Sequence, residues 1–257
     1  MSRALENKVI LIVGGTSGMG LSAAKACVAA GARVVCVGRE ESVAAARAEL
    51  KDGARVIAGD AVDPATGERA VALAVQEFGA LHGLYHVAGG SGRKWGDGPL
   101  HELSDAGWQE TLDLNATSVM NSNRAAVRVF LKTGGGSILN MTSVLAFAPS
   151  PEHFSTHAYA AAKAAVIGLT PTCAAYYAGK NIRFNAIAPG LVETPMAQRA
   201  VNDATISTFV STKQKLDGGR VGRAEDLDAA AVFFLSDGSK FVTGQVLGVD
   251  GGWSVSG

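Results

Sequence analysis

Tyr159 and Lys163 carry the side chains in this sequence that are best suited to moving a proton. On a helix, residues four positions apart lie on the same face, so the phenol and the ammonium would stand side by side. A tyrosine ordinarily titrates near pH ~10, but a neighbouring positive charge favours the phenolate and lowers that pKa toward the working range. The pair therefore indicates general acid–base chemistry. In the structural alternative, Tyr159 packs its ring at a helix interface and Lys163 is solvated.

Two polar residues upstream could complete such a site. Ser143, sixteen positions before Tyr159, has a neutral hydroxyl that could hold and polarise a carbonyl oxygen. Asn115 lies further back, in a stretch that we expect to be helical. Ser143 could instead cap a strand end, and Asn115 could be an ordinary polar residue of its helix.

A glycine-rich segment near the N-terminus indicates a nucleotide site. Glycines between a strand and a helix let the backbone approach a pyrophosphate, which the helix N-terminus then stabilises. The spacing here differs from the general GxGxxG fingerprint, and turns also require glycine for purely structural reasons. The strand–turn–helix context favours a dinucleotide. The segment reads Gly14-Gly15-Thr16-Ser17-Gly18-Met19-Gly20.

The end of the second predicted strand distinguishes between the two nicotinamide nucleotides. An NAD site usually has a carboxylate there to bind the ribose 2′-hydroxyl, whereas this sequence has Gly38-Arg39. Gly38 brings no carboxylate that would repel a 2′-phosphate, and Arg39 offers a planar fork of donors to one. We therefore predict NADP(H) rather than NAD(H), unless Arg39 is a surface residue paired with Glu40 or Glu41.

The composition argues against several other classes of protein. Of the 257 residues, 47% are hydrophobic and 18% are charged, which suits a sheet buried on both faces by helices. Lys and Arg together number 23, as do Asp and Glu, so no basic field favours nucleic acid. Cys27, Cys36 and Cys173 lack metal-ligand spacing and are expected to be small buried side chains, so no metal site is predicted. The chain shows neither a signal peptide nor an apolar run long enough for a bilayer, and we expect a cytoplasmic protein.

Strand-like apolar runs and helical stretches alternate along the whole chain. This alternation predicts one α/β domain over residues 1–257, a Rossmann-type doubly wound parallel sheet flanked by helices on both faces. The predicted strands are Val9–Val13, Val34–Val37, Arg55–Ala58, Leu84–Val87, Ser137–Met141, Ile182–Ile187 and Gln245–Val249. The predicted helices are Gly18–Ala30, Glu40–Leu50, Pro64–Phe78, Asp105–Leu131, Thr156–Ala178, a region between about Thr194 and Lys215, and Ala224–Ser236.

With these elements assigned, the sequence resembles the short-chain dehydrogenase/reductase family, in its compact single-domain branch, over nearly its whole length. The family's glycine loop corresponds to residues 13–20, with Val13 where threonine is usual. Its Asn-Asn-Ala-Gly turn corresponds to His-Val-Ala-Gly at 86–89, so both asparagines that brace the central sheet are missing. Its Pro-Gly-x-x-x-Thr element corresponds to residues 189–194.

The resemblance implies roles for individual residues. The catalytic tetrad falls on Asn115, Ser143, Tyr159 and Lys163, with Tyr159 as the proton donor or acceptor and Ser143 orienting the substrate oxygen. Lys163 would hold the nicotinamide ribose and stabilise the phenolate, and Asn115 would hold a water that links Lys163 to solvent. Together with the glycine loop and Arg39, the resemblance implies cofactor contacts at Gly14, Thr16, Ser17, Gly18, Met19, Gly20, Arg39, Asp60, Ala61, Ala88, Gly89, Tyr159, Lys163, Pro189, Gly190, Val192 and Thr194.

The predicted function is hydride transfer between NADP(H) and a small ketone or secondary alcohol. NAD(H) use, and a cofactor-binding regulatory role without chemistry, stay open as alternatives. Segments 144–157 and 193–221 are expected to shape the substrate pocket, with His153 and His157 outside the chemistry. Arg93, Lys94 and Trp95 could approach an acidic substrate or could be solvated. Members of the family commonly pair the two long helices, which predicts a homotetramer.

Overall fold

A parallel sheet organises the chain in the computed structural model, which describes residues 3–256. Within that range the seven-stranded sheet has the order β3-β2-β1-β4-β5-β6-β7, and every neighbouring pair is parallel. Its strands are β1 (Val9–Val13), β2 (Arg33–Gly38), β3 (Ala54–Ala58), β4 (Gly83–His86), β5 (Gly136–Met141), β6 (Ile182–Pro189) and β7 (Val246–Val249).

Helices connect the strands and cover both faces of the sheet, as expected for continuous apolar strands that have no solvated side. They are α1 (Gly18–Ala29), α2 (Glu40–Leu50), α3 (Pro64–Phe78), α4 (Asp105–Leu112), α5 (Ser118–Thr133), α6 (His157–Tyr177), α7 (Gln198–Val201), α8 (Ala204–Lys213) and α9 (Asp228–Leu235). The predicted doubly wound fold is confirmed, and most predicted ends lie within two residues of those in the structure.

Three predicted helices are not regular α-helices throughout. The predicted helix Ala224–Ser236 begins with a 3₁₀ turn, Ala224–Leu227, before α9. Residues 105–131 stay helical but include a π-helical turn at Asp113–Thr117, where the amide of Asn115 donates to the Thr111 carbonyl oxygen four residues back, at 2.9 Å. A side chain that bonds to its own helix competes with the regular hydrogen-bond ladder and widens the turn. The region from Thr194 to Lys215 forms a 3₁₀ turn followed by α7 and α8.

The strand order reverses between β1 and β4, which are neighbours in the sheet although their chain connections leave in opposite directions. In open parallel sheets, the carboxyl ends of the strands at such a point form a crevice that binds ligands. Gly14 follows β1 there with a φ of +86°, and a Cβ on it would come within 2.5 Å of the Ala88 backbone nitrogen after β4. Glycine at this position is therefore required by the close approach of two protein segments.

The core divides into two apolar layers, one on each face of the sheet. Cys27 and Cys36 are buried in one of them, as predicted, whereas Cys173 is only partly buried. Burial raises the pKa of the Cys36 thiol to about 12, so this thiol behaves as a neutral side chain.

Residues 3–256 contain neither a membrane-spanning helix nor a metal-binding cluster. No helix in this range combines the length and the apolar character needed to cross a bilayer. The same residues contain no group of three or more His, Cys, Asp or Glu side chains arranged to hold a metal ion.

Candidate active site

Tyr159 lies in the first turn of α6, and its backbone is fixed by an acidic residue far away in the sequence. The Asp97 carboxylate accepts hydrogen bonds from the backbone N–H groups of Ala158 at 2.9 Å and Tyr159 at 3.0 Å. Asp97 itself is buried. These bonds satisfy donors that a helix N-terminus leaves unpaired. Sequence reasoning missed Asp97, because no short motif connects it with a helix more than sixty residues later.

Lys163 lies one turn further along α6, and its ammonium is enclosed. Its Nζ donates to the Met141 carbonyl oxygen at 3.1 Å and lies 5.7 Å from the centre of the Tyr159 ring. The Thr142 hydroxyl donates to the Lys163 carbonyl oxygen at 2.8 Å, which joins the helix to the end of β5. Burial lowers the pKa of Lys163 to about 8. The predicted adjacency of the phenol and the ammonium is present.

The pKa of Tyr159 moves in the direction opposite to the expected one. Burial raises the pKa of Tyr159, and a hydrogen bond with the Ser143 hydroxyl opposes that rise without overcoming it. The Lys163 ammonium does not reverse the effect. It is itself desolvated, and it donates to the Met141 carbonyl oxygen. The phenol is therefore protonated at neutral pH, which suits a proton donor.

Asn115 lies at the centre of the π-helical turn and is held by both of its polar atoms. Its Nδ2 donates to the carbonyl oxygens of Thr111 and Gly90 at 2.9 Å, and its Oδ1 accepts from the Gly90 N–H at 3.0 Å. A Cβ on Gly89 would lie 2.8 Å from this Oδ1 and 3.1 Å from Lys163 Nζ. The asparagine and the lysine thus border the same small space beside Gly89, where a bridging water would find both a donor and an acceptor.

His86 occupies the first position of the turn where two asparagines are missing, and it restores a brace between sheet and helix. Its Nδ1 lies 2.7 Å from the Ser122 hydroxyl, and its Nε2 lies 3.1 Å from the Ala88 carbonyl oxygen. Burial, together with the positive charge of Lys163, lowers the pKa of His86 to about 3. The imidazole is therefore neutral, with its proton on Nε2 facing the carbonyl. His86 thus supplies a side-chain brace at the turn where both asparagines are missing.

The glycine loop and the start of α1 have the properties of a phosphate site. Ser17, the N-cap of α1, makes no side-chain capping bond, and the first turn contains no acidic residue. The backbone N–H groups of this turn therefore remain available, at the positive end of the helix dipole, for an anion. The residues present fit the diphosphate of a dinucleotide.

Gly38 and Arg39 follow β2, and the structure gives the glycine a different explanation. A Cβ on Gly38 would overlap the side chain of Thr16, whose hydroxyl lies 2.8 Å from that of Ser42. Packing against the glycine loop therefore accounts for this glycine, whichever nucleotide binds. The exposed Arg39 guanidinium pairs with Glu41 at 3.1 Å. Asp60 and Ala61 follow β3, and the Asp60 carboxylate accepts the Val62 N–H at 2.9 Å.

The segment after β6 is held by a residue that sequence reasoning also missed. Gln214 is buried, and its side-chain amide accepts from the Leu191 N–H at 2.5 Å and donates to the Leu191 carbonyl oxygen at 3.2 Å. These bonds fix the backbone that follows Pro189 and Gly190. Val192 forms a parallel bridge with Gly222, and Thr194 reaches Gly18 of the glycine loop.

A cavity of about 270 Å³ is lined by predicted catalytic residues and by predicted cofactor-binding residues. The predicted catalytic residues Ser143 and Tyr159 line it. The other two predicted catalytic residues, Asn115 and Lys163, do not line it. The predicted cofactor residues that line the same cavity are Met19, Pro189, Gly190, Val192 and Thr194.

Both segments expected to shape the pocket line the cavity. The first contributes Val144, Leu145, Phe154 and Thr156, and the second contributes Thr194, Met196, Ala197, Arg199 and Ala200. His153 instead packs on Phe209, with ring centres 4.6 Å apart. Trp253, close to the C-terminus, completes the apolar wall and was not predicted. The cavity can therefore hold a planar ring and a small oxygen-bearing group beside a phenol and a hydroxyl.

Comparison with known proteins gives matches over almost the whole chain. A family model described as enoyl-(acyl carrier protein) reductase matches residues 13–254. The chain is 36% identical over 259 residues to 2-(S)-hydroxypropyl-CoM dehydrogenase 3 of Xanthobacter autotrophicus, covering 98% of both chains. It is 37% identical over 254 residues to a 3-alpha-(or 20-beta)-hydroxysteroid dehydrogenase of Mycobacterium tuberculosis, covering 98% of this chain and 91% of the relative.

A solved structure shows the same fold. A short-chain type dehydrogenase/reductase from Mycobacterium ulcerans superposes with a TM-score of 0.90 at 34% identity, covering 100% of this chain and 92% of the other.

Proposed function

Because this chain belongs to the short-chain dehydrogenase/reductase family, a family of NAD(P)-dependent oxidoreductases, we propose that it interconverts a ketone and a secondary alcohol with NADP(H). The observation that carries the proposal is the shared cavity. Tyr159 and Ser143 face the same space as Met19 and the segment from Pro189 to Thr194. A reacting carbon in that space would lie between a proton donor and the cofactor.

Each side chain of the site has a different role in carbonyl reduction. The nicotinamide supplies or accepts the hydride when it is bound. Tyr159 gives its phenol proton to the carbonyl oxygen as negative charge develops there, and its raised pKa keeps that proton in place at neutral pH. Ser143 donates to the same oxygen and fixes its position. Lys163, buried beside the phenol, stabilises the phenolate that remains.

Proton return completes the proposed cycle. The space beside Gly89 is bordered by Asn115 Oδ1 and Lys163 Nζ, so a water there would accept from the ammonium and exchange with solvent. In alcohol oxidation the same groups act in reverse, with Tyr159 accepting the hydroxyl proton.

The preference for NADP(H) rests on Arg39. Its guanidinium is exposed beside the end of β2, and a 2′-phosphate would offer it a bidentate partner. The ion pair with Glu41 favours the NAD(H) alternative. Arg39 would have to give up this ion pair in order to bind the 2′-phosphate of NADP(H). Exposed ion pairs contribute only about 0–1 kcal/mol, so a doubly charged phosphate would displace it.

A screen of ketones with NADPH and NADH, and of secondary alcohols with NADP⁺ and NAD⁺, tests the proposal. Oxidation of NADPH by at least one ketone class, at higher kcat/KM than with NADH, is the expected result. Cofactor binding without turnover of any carbonyl or alcohol would favour a regulatory role. A higher kcat/KM with NADH would assign the enzyme to the NAD(H) class.

We also propose that residues 1–257 act as one domain that assembles into a homotetramer. The exposed face of α6 supports this, since it presents mostly small side chains that permit close helix packing, at 164, 165, 168, 172 and 175. Tyr176 on this face is 78% exposed. A monomeric mass by light scattering at micromolar concentration would contradict the assembly.

A further inference from the structure

The side chains that line the cavity with Tyr159 carry a net positive charge. Its lining, within the described residues, includes two charged side chains, and both are arginines, Arg93 and Arg199. No carboxylate from residues 3–256 lines the cavity to neutralise them. The rest of the wall is apolar or carries neutral hydroxyl groups, as at Ser143 and Thr156.

Neither arginine is engaged elsewhere. Across residues 3–256, no ion pair or side-chain hydrogen bond involves either guanidinium. Both arginines line the same cavity, and partial burial together with the positive charge of Arg199 lowers the pKa of Arg93. Asp97 attracts Arg93 and opposes this lowering of its pKa, while the Asp97 carboxylate accepts the two backbone hydrogen bonds from the first turn of α6.

The two arginines come from different segments. Arg93 lies on a 3₁₀ turn, Arg93–Trp95, in the loop after β4, and Arg199 lies on α7 in the segment after β6. Both arginines are exposed residues, so their guanidiniums are open to a bound anion, which would also reduce their mutual repulsion. Guanidinium forks match the planar or tetrahedral oxygens of carboxylate, sulfonate and phosphate groups.

We propose that Arg93 and Arg199 form a subsite for an anionic group carried by the substrate, so that the enzyme acts on ketones or alcohols that bear an acidic function. The inference rests on the proposed function, in which Tyr159 and Ser143 hold the reacting oxygen in the same cavity. It makes the two arginines specificity-determining residues.

The anion belongs to the substrate rather than to the cofactor diphosphate. The free amides at the start of α1 already supply donors for a diphosphate, and Arg39 lies at the end of β2, on the adenosine side. By contrast, Arg93 and Arg199 line the cavity that also contains Tyr159, Ser143, Phe154 and Trp253.

The test uses straight-chain methyl ketones that end in a carboxylate, a sulfonate or a phosphonate, each beside its neutral carboxamide of equal length. The wild-type enzyme is expected to reduce the best anionic ketone with a kcat/KM at least ten-fold above that of its amide. Arg93→Gln and Arg199→Gln should each lower kcat/KM for that ketone by on the order of ten- to a hundred-fold, with the amide unchanged. Lys94→Gln removes the same charge from the same turn as a control, since its ammonium lies over the Trp95 ring at 4.2 Å and does not line the cavity.

Calorimetric binding of the same probes to the enzyme with NADP⁺ gives a second readout that needs no turnover. If the anionic ketones bind in an arginine-dependent way but are not reduced, the anion subsite is supported and the proposed function is contradicted. Equal binding of anion and amide, or no arginine-dependent binding across the series, would overturn the subsite. Loss of NADP⁺ affinity in Arg93→Gln or Arg199→Gln, with anionic and neutral ketones affected alike, would instead assign the arginines to the cofactor.

Discussion

The backbone N–H of Tyr159 donates to the Asp97 carboxylate at 3.0 Å, so an acid 62 positions upstream sets the place of the proposed proton donor. The neighbouring Ala158 N–H binds the other carboxylate oxygen at 2.9 Å. The loop after β4 and the first turn of α6 are thereby joined. Since the same loop carries Arg93, this contact also relates the proposed substrate subsite to the catalytic phenol.

Asp97→Ala should impair both stability and turnover. Loss of a helix N-terminal acceptor costs about 0.5–2 kcal/mol of unfolding free energy, and the released first turn should lower kcat by on the order of ten-fold through misplacement of Tyr159. Urea denaturation and steady-state kinetics measure the two effects. Asp63→Ala is the matched control, because Asp63 accepts the Ala65 N–H at 3.0 Å in capping α3, outside the site. Equal kcat values for the two variants would show that Asp97 stabilises the helix without positioning the phenol.

The charge state of Lys163 should appear in the pH dependence of reduction. Its lowered pKa of about 8 means that the ammonium is present below that pH and is lost above it. We expect kcat/KM for the ketone to fall as pH rises through about 8, because the group that stabilises the phenolate becomes neutral. Lys163→Arg keeps the charge and should move the fall to higher pH.

The control for this profile is Lys180→Met, in the exposed turn that follows α6. It should leave the midpoint unchanged. A profile that is flat between pH 7 and 9 in the wild-type enzyme would contradict the assignment to Lys163.

His86 should make the protein less stable in acid. Its folded-state pKa is about 3 against an ordinary value of 6.5, so the unfolded chain binds more protons between these values. The contribution of His86 to the free energy of unfolding is therefore fully present above about pH 6.5 and is lost as the pH falls toward 3. Asp228, whose pKa burial raises to about 6, acts with the opposite sign between 3.8 and 6, so only a comparison of variants isolates the histidine.

His86→Asn provides that comparison, since asparagine can still bond to a helix hydroxyl and does not titrate. The loss of unfolding free energy between pH 7 and pH 5, measured by urea denaturation, should be smaller in the variant than in the wild type. An identical loss in both proteins would exclude His86 as the titrating group.

Cofactor choice should respond to the pairing of Arg39. Arg39→Asp replaces the phosphate ligand with a carboxylate and should raise the NADH/NADPH ratio of kcat/KM by on the order of ten-fold or more. Glu41→Gln releases the guanidinium from its ion pair and should tighten NADP⁺ binding by a few-fold. Glu40→Gln controls for the loss of one negative charge at the same helix end. No change in preference in Arg39→Asp would remove Arg39 from the nucleotide site.

The sequence was sufficient for those features that depend on local pattern. The apolar runs predicted the strands, the glycines predicted the turn after β1, and the spacing of Tyr159 and Lys163 placed both on one helix. It was insufficient where a property depends on contacts between distant segments. Three residues of the site belong to loops or lie near the C-terminus, and hydrophobic periodicity does not predict where such segments lie. They are Asp97, Gln214 and Trp253.

The predicted direction of the Tyr159 pKa shift was wrong for a related reason. Spacing on a helix predicts that an ammonium is adjacent, but it does not predict that both groups are desolvated together. Gly38 is a second example, because its absent side chain was interpreted through the cofactor, whereas the contact with Thr16 already requires a glycine.

Single-turnover reduction by Tyr159→Phe tests the central claim most directly. With enzyme in excess over a ketone identified in the screen, the variant should bind NADPH as the wild type does, since it loses only a hydroxyl. Its rate constant for NADPH oxidation should fall by at least ~10²-fold, because the variant lacks the proposed proton donor. A rate constant within a few-fold of the wild type would contradict the assignment of Tyr159 as the acid.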